Sequence, residues 1–233
     1  MTKPQGSFVW CELMTTDMDA AEDFYRAVVG WKTGDFSQPG MRYTVVSAGD
    51  RGVGGIMTLP DEARAAGGRP GWIGYIGIPD VDAAAGRVKD AGGTIHKQPF
   101  DIPDVGRIAI VADSGGAIFA LITPISDEKP APVPPGTPGH VGWHELYAAN
   151  GGEAALAFYS AQFGWTETEA MDMGPMGKYR IFAEGGVPIG GMMDKPAEMP
   201  AGAWQYYFNV DAIDAAAERV TANGGQVLMG PHE

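Results

Sequence analysis

One stretch of this chain occurs twice, and the duplication constrains the fold more than any other feature. Ser7 to Trp31, SFVWCELMTTDMDAAEDFYRAVVGW, returns as Gly142 to Trp165, GWHELYAANGGEAALAFYSAQFGW. Val9, Cys11 and Leu13 alternate with Trp10, Glu12 and Met14, which defines two faces of a strand. Asp17 or Asp19 can cap the helix that follows, where Ala20, Ala21, Phe24 and Val28 fall at helical spacing. Gly30 stands where a helix end takes a left-handed residue, and Trp31 leads the chain back toward the core.

The rest of the chain repeats on the same frame. Tyr43–Ala48 and Gly52–Leu59 read as strands around a Gly49-Asp50 turn. After a polar loop, strand and helix return as Trp72–Ile78 and a helix capped near Asp80 or Asp82, running to Ala91 and stopped by Gly92-Gly93. Thr94–Gln98, Gly106–Ala112 and Ala117–Thr123 read as three more strands, the last two turning at DSGG. The second half answers residue by residue: Phe24-Tyr25 with Phe158-Tyr159, Gly30-Trp31 with Gly164-Trp165, GGIM from Gly54 with GGMM from Gly190, Trp72 with Trp204. The offset stays between 132 and 136, as expected of a tandem duplication. Residues 126–139, SDEKPAPVPPGTPG, carry five prolines and no apolar periodicity and read as a linker. The organisation expected is a module over 1–125, the linker 126–139, and a second module over 140–233. The second copy stops at Glu233, where the first continues through two more strands, so the expectation is a chain shorter than its natural product.

Composition narrows the function classes. With 233 residues, 45% hydrophobic and 19% charged, the chain reads as soluble and globular. A net charge of -13 argues against nucleic acid as a partner. No signal peptide or membrane span is read, so no membrane partner is expected and the cytoplasm is the default. Cys11 is the single cysteine and reads as a small buried residue. Gly52–Gly55 is not a phosphate loop, because no Lys-Ser/Thr follows it.

The repeat D-x-x-x-A-x-x-F-Y-x-x-x-x-G-W, with a D-x-x-G-x-x-x-x-L hairpin, resembles the vicinal oxygen chelate superfamily of glyoxalases, bleomycin-resistance proteins and extradiol dioxygenases. DMDAAEDFYRAVVGW, DSGGAIFALIT and EAALAFYSAQFGW carry it. The W-x-E-L opening and the doubled module resemble the two-domain type found among actinobacterial culture-filtrate antigen proteins. The resemblance implies an α+β fold: tandem glyoxalase-like modules of paired βαβββ units, whose curled mixed sheets form cups. It also implies a divalent metal in the cup where the member is an enzyme, held by His, Gln or Glu.

Carried onto this chain, those ligand slots fall in the first module at Trp10, Gly55, Ile73 and Ala120, none of which binds a metal. In the second module two registers are open. An ungapped count from Phe158 puts His144 in the slot, with Gln205 as its partner. Aligning WHEL on WCEL puts Trp143 there and turns His144 to the helix side. No cofactor is expected in the register that places Trp143 in the slot; a divalent metal on His144 and Gln205 belongs to the register that places His144 there.

The cup-facing candidates for ligand binding are Trp10, Glu12 and Tyr75 in the first module and Trp143, Glu145, Gln205, Tyr207 and Asn209 in the second. Aromatic walls with a few polar groups suit a small molecule. A carboxylate facing an apolar cup can act as a general base, which makes Glu12 and Glu145 the candidates for catalysis. The competing reading fills the core with both tryptophans and pairs the glutamates with Arg42 or Arg180. His96 reads as a partly exposed strand residue. Met171, Met173, Met176, Met192, Met193 and Met199 read as core filling or as an adaptable wall. The function expected is small-molecule binding of the glyoxalase/bleomycin-resistance type without a complete metal site. The alternative is a metal-dependent lyase, isomerase or dioxygenase working in the second module, and whether the chain is an enzyme stays open. The partner expected is a small-molecule ligand, with the protein a monomer through pairing of its modules or a homodimer.

Overall fold

In the computed structural model, which describes residues 5–38, 40–126 and 131–231, the alternation of the opening stretch becomes a strand with two distinct faces. The elements in chain order are β1 (Ser7–Thr15), α1 (Met18–Val29), β2 (Lys32–Asp35), β3 (Tyr43–Ala48), β4 (Arg51–Thr58) and α2 (Asp61–Ala65). There follow β5 (Gly71–Gly77), α3 (Val81–Asp90), β6 (Thr94–Ile102), β7 (Gly106–Ala112) and β8 (Ile118–Pro124). The second half holds β9 (Val141–Ala148), α4 (Gly152–Phe163), β10 (Thr166–Asp172), β11 (Lys178–Glu184), β12 (Val187–Asp194), β13 (Ala203–Phe208) and α5 (Ile213–Ala222). Residues 127–130 of the linker stretch lie outside the described residues, as do 1–4, 39, 232 and 233. The fold is α+β, with mixed sheets that do not close into a barrel.

Local chemistry explains the helices. Asp17 caps α1, its Oδ1 accepting from the Ala20 N–H at 3.0 Å, and Gly30 ends it at φ 84°. Asp80 caps α3 in the same way, accepting from the Ala83 N–H at 3.0 Å. Gly164 closes α4 at φ 75°. Three strand–helix–strands repeats share one pairing rule: the first strand runs parallel to the fourth. Glu12 stands opposite Gly55, Tyr75 opposite Ala120, and Glu145 opposite Gly191.

The chain forms two units, each drawn from both halves of the sequence: the described parts of Met1–Val9, Ile73–Pro132 and Trp143–Tyr206, and those of Trp10–Trp72, Val133–Gly142 and Tyr207–Glu233. In the latter, strands run β2-β3-β4-β1. Leu13, Met18, Trp31, Val46 and Ile56 form its buried core, flanked by Tyr25, Trp72 and Phe208. The Tyr25 and Trp31 rings stack at 5.5 Å. Trp72 Nε1 donates to the Tyr25 hydroxyl at 2.8 Å, and Trp31 Nε1 donates to the Gly139 carbonyl at 2.8 Å. Arg219 of α5 donates twice to the Val28 carbonyl at the end of α1 (2.9 and 3.2 Å), where a cation suits the helix terminus.

The other unit holds the runs β5-β8-β7-β6 and β10-β11-β12-β9-β13. Its core repeats the same triad: Tyr159 stacks on Trp165 at 5.3 Å, Trp204 Nε1 donates to Tyr159 at 2.9 Å, and Trp165 Nε1 donates to the Gly6 carbonyl at 2.7 Å. A buried indole needs an acceptor for its N–H, and the F-Y-x-x-x-x-G-W motif supplies one in each unit. Here the Tyr159 hydroxyl goes on to donate to Asp113 Oδ2 at 3.0 Å. The other oxygen of Asp113 accepts the Gly115 and Ala117 N–H groups at 2.8 and 2.9 Å and so fastens the DSGG turn. Burial pushes the Asp113 carboxyl above the ordinary carboxylate range.

Sequence patterning passed over β2, α2 and β10. Lys32–Asp35 and Thr166–Asp172 are polar and mostly exposed edge strands, so they carry no apolar alternation. β6 runs past Gln98 to Ile102 because the register shift against β7 between Lys97 and Phe100 absorbs Pro99. Among the described residues, no helix is long and apolar enough to cross a membrane.

Candidate functional site

On β1 the side chains of Trp10, Glu12 and Met14 share the face opposite buried Cys11 and Leu13. Parallel pairing with β4 and antiparallel pairing of β4 with β3 extend this face into two rows. Glu12, Gly55 and Val45 form one; Met14, Met57 and Tyr43 form the other. Tyr43 lies over Gly55, where any Cβ would collide with its hydroxyl, so glycine there is what admits the phenol. Trp10 Nε1 donates to the Tyr43 oxygen at 3.0 Å, and Tyr43 in turn donates to the Glu12 carboxylate. Glu12 is only 5% exposed. Burial, reinforced by the Glu12 charge, holds the Tyr43 phenol well above its ordinary range.

The other unit contains the same construction on β9, β11 and β12. Glu145, Gly191 and Ile181 form one row, and Met193 pairs with Tyr147 in the next. Trp143 Nε1 donates to Tyr179 at 2.7 Å, and Tyr179 donates to Glu145, which is 7% exposed. A Cβ at Gly191 would collide with the Tyr179 ring and hydroxyl. Burial again holds the Tyr179 phenol high. Met171 on β10 stands directly across from Tyr179. Each unit thus carries a relay from Trp N–H to Tyr O–H to Glu carboxylate, laid over a glycine.

The pairing of Glu145 with Gly191, matching that of Glu12 with Gly55, makes Trp143 the counterpart of Trp10. His144 therefore points to the opposite face of β9. Its ring stacks on Phe8 at 3.9 Å and 8°, its Nδ1 donates to the Ile189 carbonyl at 2.8 Å, and the Tyr206 ring meets it edge-on at 5.9 Å. Burial lowers the His144 pKa to about 4, so the ring is neutral. Gln205 alternates with Trp204 and Tyr206 along β13 and is exposed on the other side. The structure does not bring His144 and Gln205 together.

The remaining expected residues divide. Tyr75 is buried on β5, opposite Ala120. Gln205 and Tyr207 are exposed on β13. Asn209 turns to the end of the linker instead, its side chain donating to the Thr137 carbonyl at 3.3 Å and its backbone N–H to the His140 carbonyl at 2.9 Å. The arginines offered as partners for the glutamates are engaged elsewhere: Arg42 with Asp19 and Glu22 (2.5 and 3.1 Å), Arg180 with Glu153 and Glu167 (3.1 and 2.6 Å). Met192 and Met193 are buried, whereas Met171, Met173 and Met176 are exposed. Burial pushes the Cys11 thiol up to about 12, which leaves it unreactive. Sequence reasoning missed Tyr43 and Tyr179. Their signal was available in the 136-residue offset that also relates Gly55 to Gly191. A polar cleft of about 480 Å³ beside α1, lined by Glu22, Asp35, Ser37, Arg42 and Thr44 among others, contains none of the expected site residues.

Comparison with known proteins shows the family and the fold. The family model for the Glyoxalase/Bleomycin resistance protein/Dioxygenase superfamily matches residues 7–121 and again 137–233. The Mycobacterium tuberculosis protein named "Putative glyoxylase CFP32" is 34% identical over 229 residues, covering 97% of this chain and 86% of that protein. The anthracycline biosynthesis protein DnrV of Streptomyces peucetius is 31% identical over 240 residues, covering 97% and 85%. Among solved structures, a 4-hydroxymandelate synthase mutant from Streptomyces coelicolor superposes with TM-score 0.65 at 16% identity, over 95% of this chain and 76% of that one. The Mn(II)-bound glyoxalase from Novosphingobium aromaticivorans gives 0.60 at 15% identity, over 96% and 72%. At such identities the shared property is the fold.

The metal such a relative holds does not fit the residues present. Trp10, Gly55, Ile73, Ala120, Trp143 and Gly191 offer no ligand atom at the slots the resemblance implies, and Gln205, in the partner slot of the second module, is exposed on β13 away from His144. Among the described residues, no group of three or more His, Cys, Asp or Glu could hold a metal ion.

Proposed function

The chain belongs to the glyoxalase/bleomycin resistance protein/dioxygenase superfamily, and from that premise we propose that it binds a small organic molecule without a resident metal. The observation that carries the reading is the Trp–Tyr–Glu relay, built twice at one register over Gly55 and Gly191. A hydrophobic core needs no carboxylate, and a buried one is costly unless it is hydrogen-bonded. Two units that both keep a nearly buried glutamate beside an indole, a phenol and methionines support recognition, with aromatic area to bury and polar atoms to orient. Trp10, Glu12, Trp143 and Glu145 are the ligand-contacting residues of this proposal, joined by Tyr43 and Tyr179. Gln205 and Tyr207, exposed on β13, are further candidates of this proposal. Glu12 and Glu145 are also the groups placed to accept a proton from a bound substrate. A turnover assay whose pH–rate profile is unchanged in Glu12→Gln removes that part of the proposal. The net charge of -13 supports a small-molecule partner over nucleic acid.

The test is a fluorescence screen of small aromatic and oxygenated metabolites against the full chain, with Trp10→Phe and Trp143→Phe alongside. Saturable quenching that each substitution diminishes is expected. Quenching that survives both would place the ligand elsewhere and end the proposal.

A further inference from the structure

The internal repeat singles out the cleft beside α1. Tyr43 answers to Tyr179 at an offset of 136, so Thr44 answers to Arg180; on the helices, at an offset of 134, Asp19 answers to Glu153 and Glu22 to Leu156. In the unit that holds α4, Arg180 ties the helix to the edge strand β10. It meets Glu153 at 3.1 Å and Glu167 at 2.6 Å, with its side chain only 14% exposed. In the unit that holds α1 the arginine stands two residues earlier, as Arg42, and its side chain is 48% exposed. A threonine is left at the position Arg180 fills, and a cleft of about 480 Å³ opens, lined by Glu22, Thr33, Asp35, Ser37, Arg42 and Thr44. The helix meanwhile has Glu22, its side chain 14% exposed, where the other copy has an apolar leucine. Packing alone gives no reason for that difference, because a sheltered carboxylate is costly unless it is hydrogen-bonded.

The groups lining the cleft are of both hydrogen-bonding kinds. Glu22 Oε1 accepts from the Thr44 hydroxyl at 2.7 Å and from Arg42 Nη2 at 3.1 Å, and Asp35 Oδ1 accepts the Ser37 N–H at 2.8 Å. Each carboxylate has lone pairs for further hydrogen bonds. Arg42 Nη2 also donates to Asp19, whereas Nε and Nη1 have no partner among the described residues. Thr33 Oγ1 accepts from Arg26 Nη2 at 3.2 Å and keeps its own proton to give. Donors and acceptors therefore stand side by side, and the Arg42 charge is already paired with Asp19 and Glu22. Among the described residues, no aromatic or aliphatic side chain lines the cleft, so an apolar body gains little there. A lone cation meets Arg42, and a lone anion meets Glu22 and Asp35. A hydroxyl both donates and accepts, so hydroxyls on neighbouring carbons meet both kinds of group without breaking an ion pair.

We propose that this cleft is a second binding site, for an uncharged polyhydroxylated molecule, a sugar or polyol. Glu22 and Asp35 accept from its hydroxyls, and Arg42 and Thr33 donate to them. The site is separate from the Trp–Tyr–Glu relays and does not rest on the reading given to them. The other unit has no such site at the matching place, because Arg180 fills it.

Probes on one cyclohexane frame test this: myo-inositol, cyclohexanol, cyclohexylammonium, cyclohexanecarboxylate and the zwitterion 4-aminocyclohexanecarboxylate, with D-glucose as a second polyol. Each is titrated at neutral pH into the nitrogen-labelled full chain, and the amide chemical shifts are followed by NMR. Inositol or glucose is expected to shift the amides of Thr33 to Ser37 and of Arg42 to Thr44 saturably. Its binding should be about tenfold tighter than that of cyclohexanol or of any charged analogue, the effect of one or two added hydrogen bonds. Asp35→Ala and Arg42→Met, both at exposed positions, should each weaken it about fivefold or more. Thr44→Arg, which places in the cleft the residue the other unit has there, should abolish it. If Thr44→Arg fails to fold, the two exposed-site variants carry the test. A charged or zwitterionic analogue binding as tightly as the polyols would overturn the assignment. So would saturable shifts confined to residues outside the cleft, polyol affinity unchanged in both exposed-site variants, or no saturable shift from either polyol. None of these outcomes bears on the relays, which the metabolite screen tests by tryptophan fluorescence.

Discussion

His144 should make one unit of this protein acid-sensitive, and the size of the effect follows from its surroundings. The ring stacks on Phe8, donates through Nδ1 to the Ile189 carbonyl, and titrates at about 4 because burial disfavours its charged form. In an unfolded chain a histidine titrates near ~6.5. The folded pKa lies below the unfolded one, so the contribution is fully present above the unfolded value and drains away as pH falls toward the folded one. A gap of roughly 2.5 units corresponds to about 3 kcal/mol at full protonation, and the ring's small residual exposure discounts this to about 2–3 kcal/mol. About three fifths of that loss should already be present at about pH 5. His144→Gln keeps a neutral side chain with an N–H donor and removes the titration. The assay is urea denaturation of wild type and variant at pH 7.5, 6 and 5. The variant is less stable at pH 7.5, having lost the stack on Phe8, but its stability should fall less steeply with acid. Parallel pH dependences would refute the reasoning, because a histidine that protonates equally well in both states contributes no slope.

Two further substitutions test the packing that the relays require. Gly55→Ala and Gly191→Ala each drive a methyl group into the tyrosine laid over the glycine, and should cost about 1–3 kcal/mol by thermal or denaturant unfolding. A neutral outcome would mean that Tyr43 or Tyr179 leaves the glycine readily. Tyr159→Phe removes both the acceptor for Trp204 Nε1 and a donor to Asp113, at a cost of about 1–3 kcal/mol. The counterpart Tyr25→Phe leaves only Trp72 Nε1 without its acceptor and should cost less, so equal losses from the pair would contradict the role given to Asp113.

Much of the fold was legible in the chain because its signals are local. Asp17, Asp80, Gly30 and Gly164 act where a capping rule places them, and alternation along β1 sorts Cys11 and Leu13 from Trp10 and Glu12. What escaped depends on partners far away in sequence. Lys32–Asp35 is a strand because β3 offers it an edge, not because of its own pattern. Asn209 looks like a site residue on its strand until Thr137, which takes its donor, is brought to it. The site was half legible. W-x-E-L located the tryptophan and the glutamate of each relay, but the tyrosine between them comes from another strand. Gly55 and Gly191, read as empty ligand slots, are the space in which that tyrosine lies. For His144 two registers were open, because one extra residue in the turn after β9 changes the face a count assigns it, and only the pairing of Glu145 with Gly191 fixes that face.

The account's central claim is that small-molecule recognition here needs no metal. Its most direct test is calorimetric titration of the best ligand from the metabolite screen into the full chain before and after exhaustive chelation, with elemental analysis of both samples. The account predicts two sites per chain whose affinities are unchanged by chelation. Binding that vanishes on chelation and returns with one equivalent of a divalent metal would contradict it.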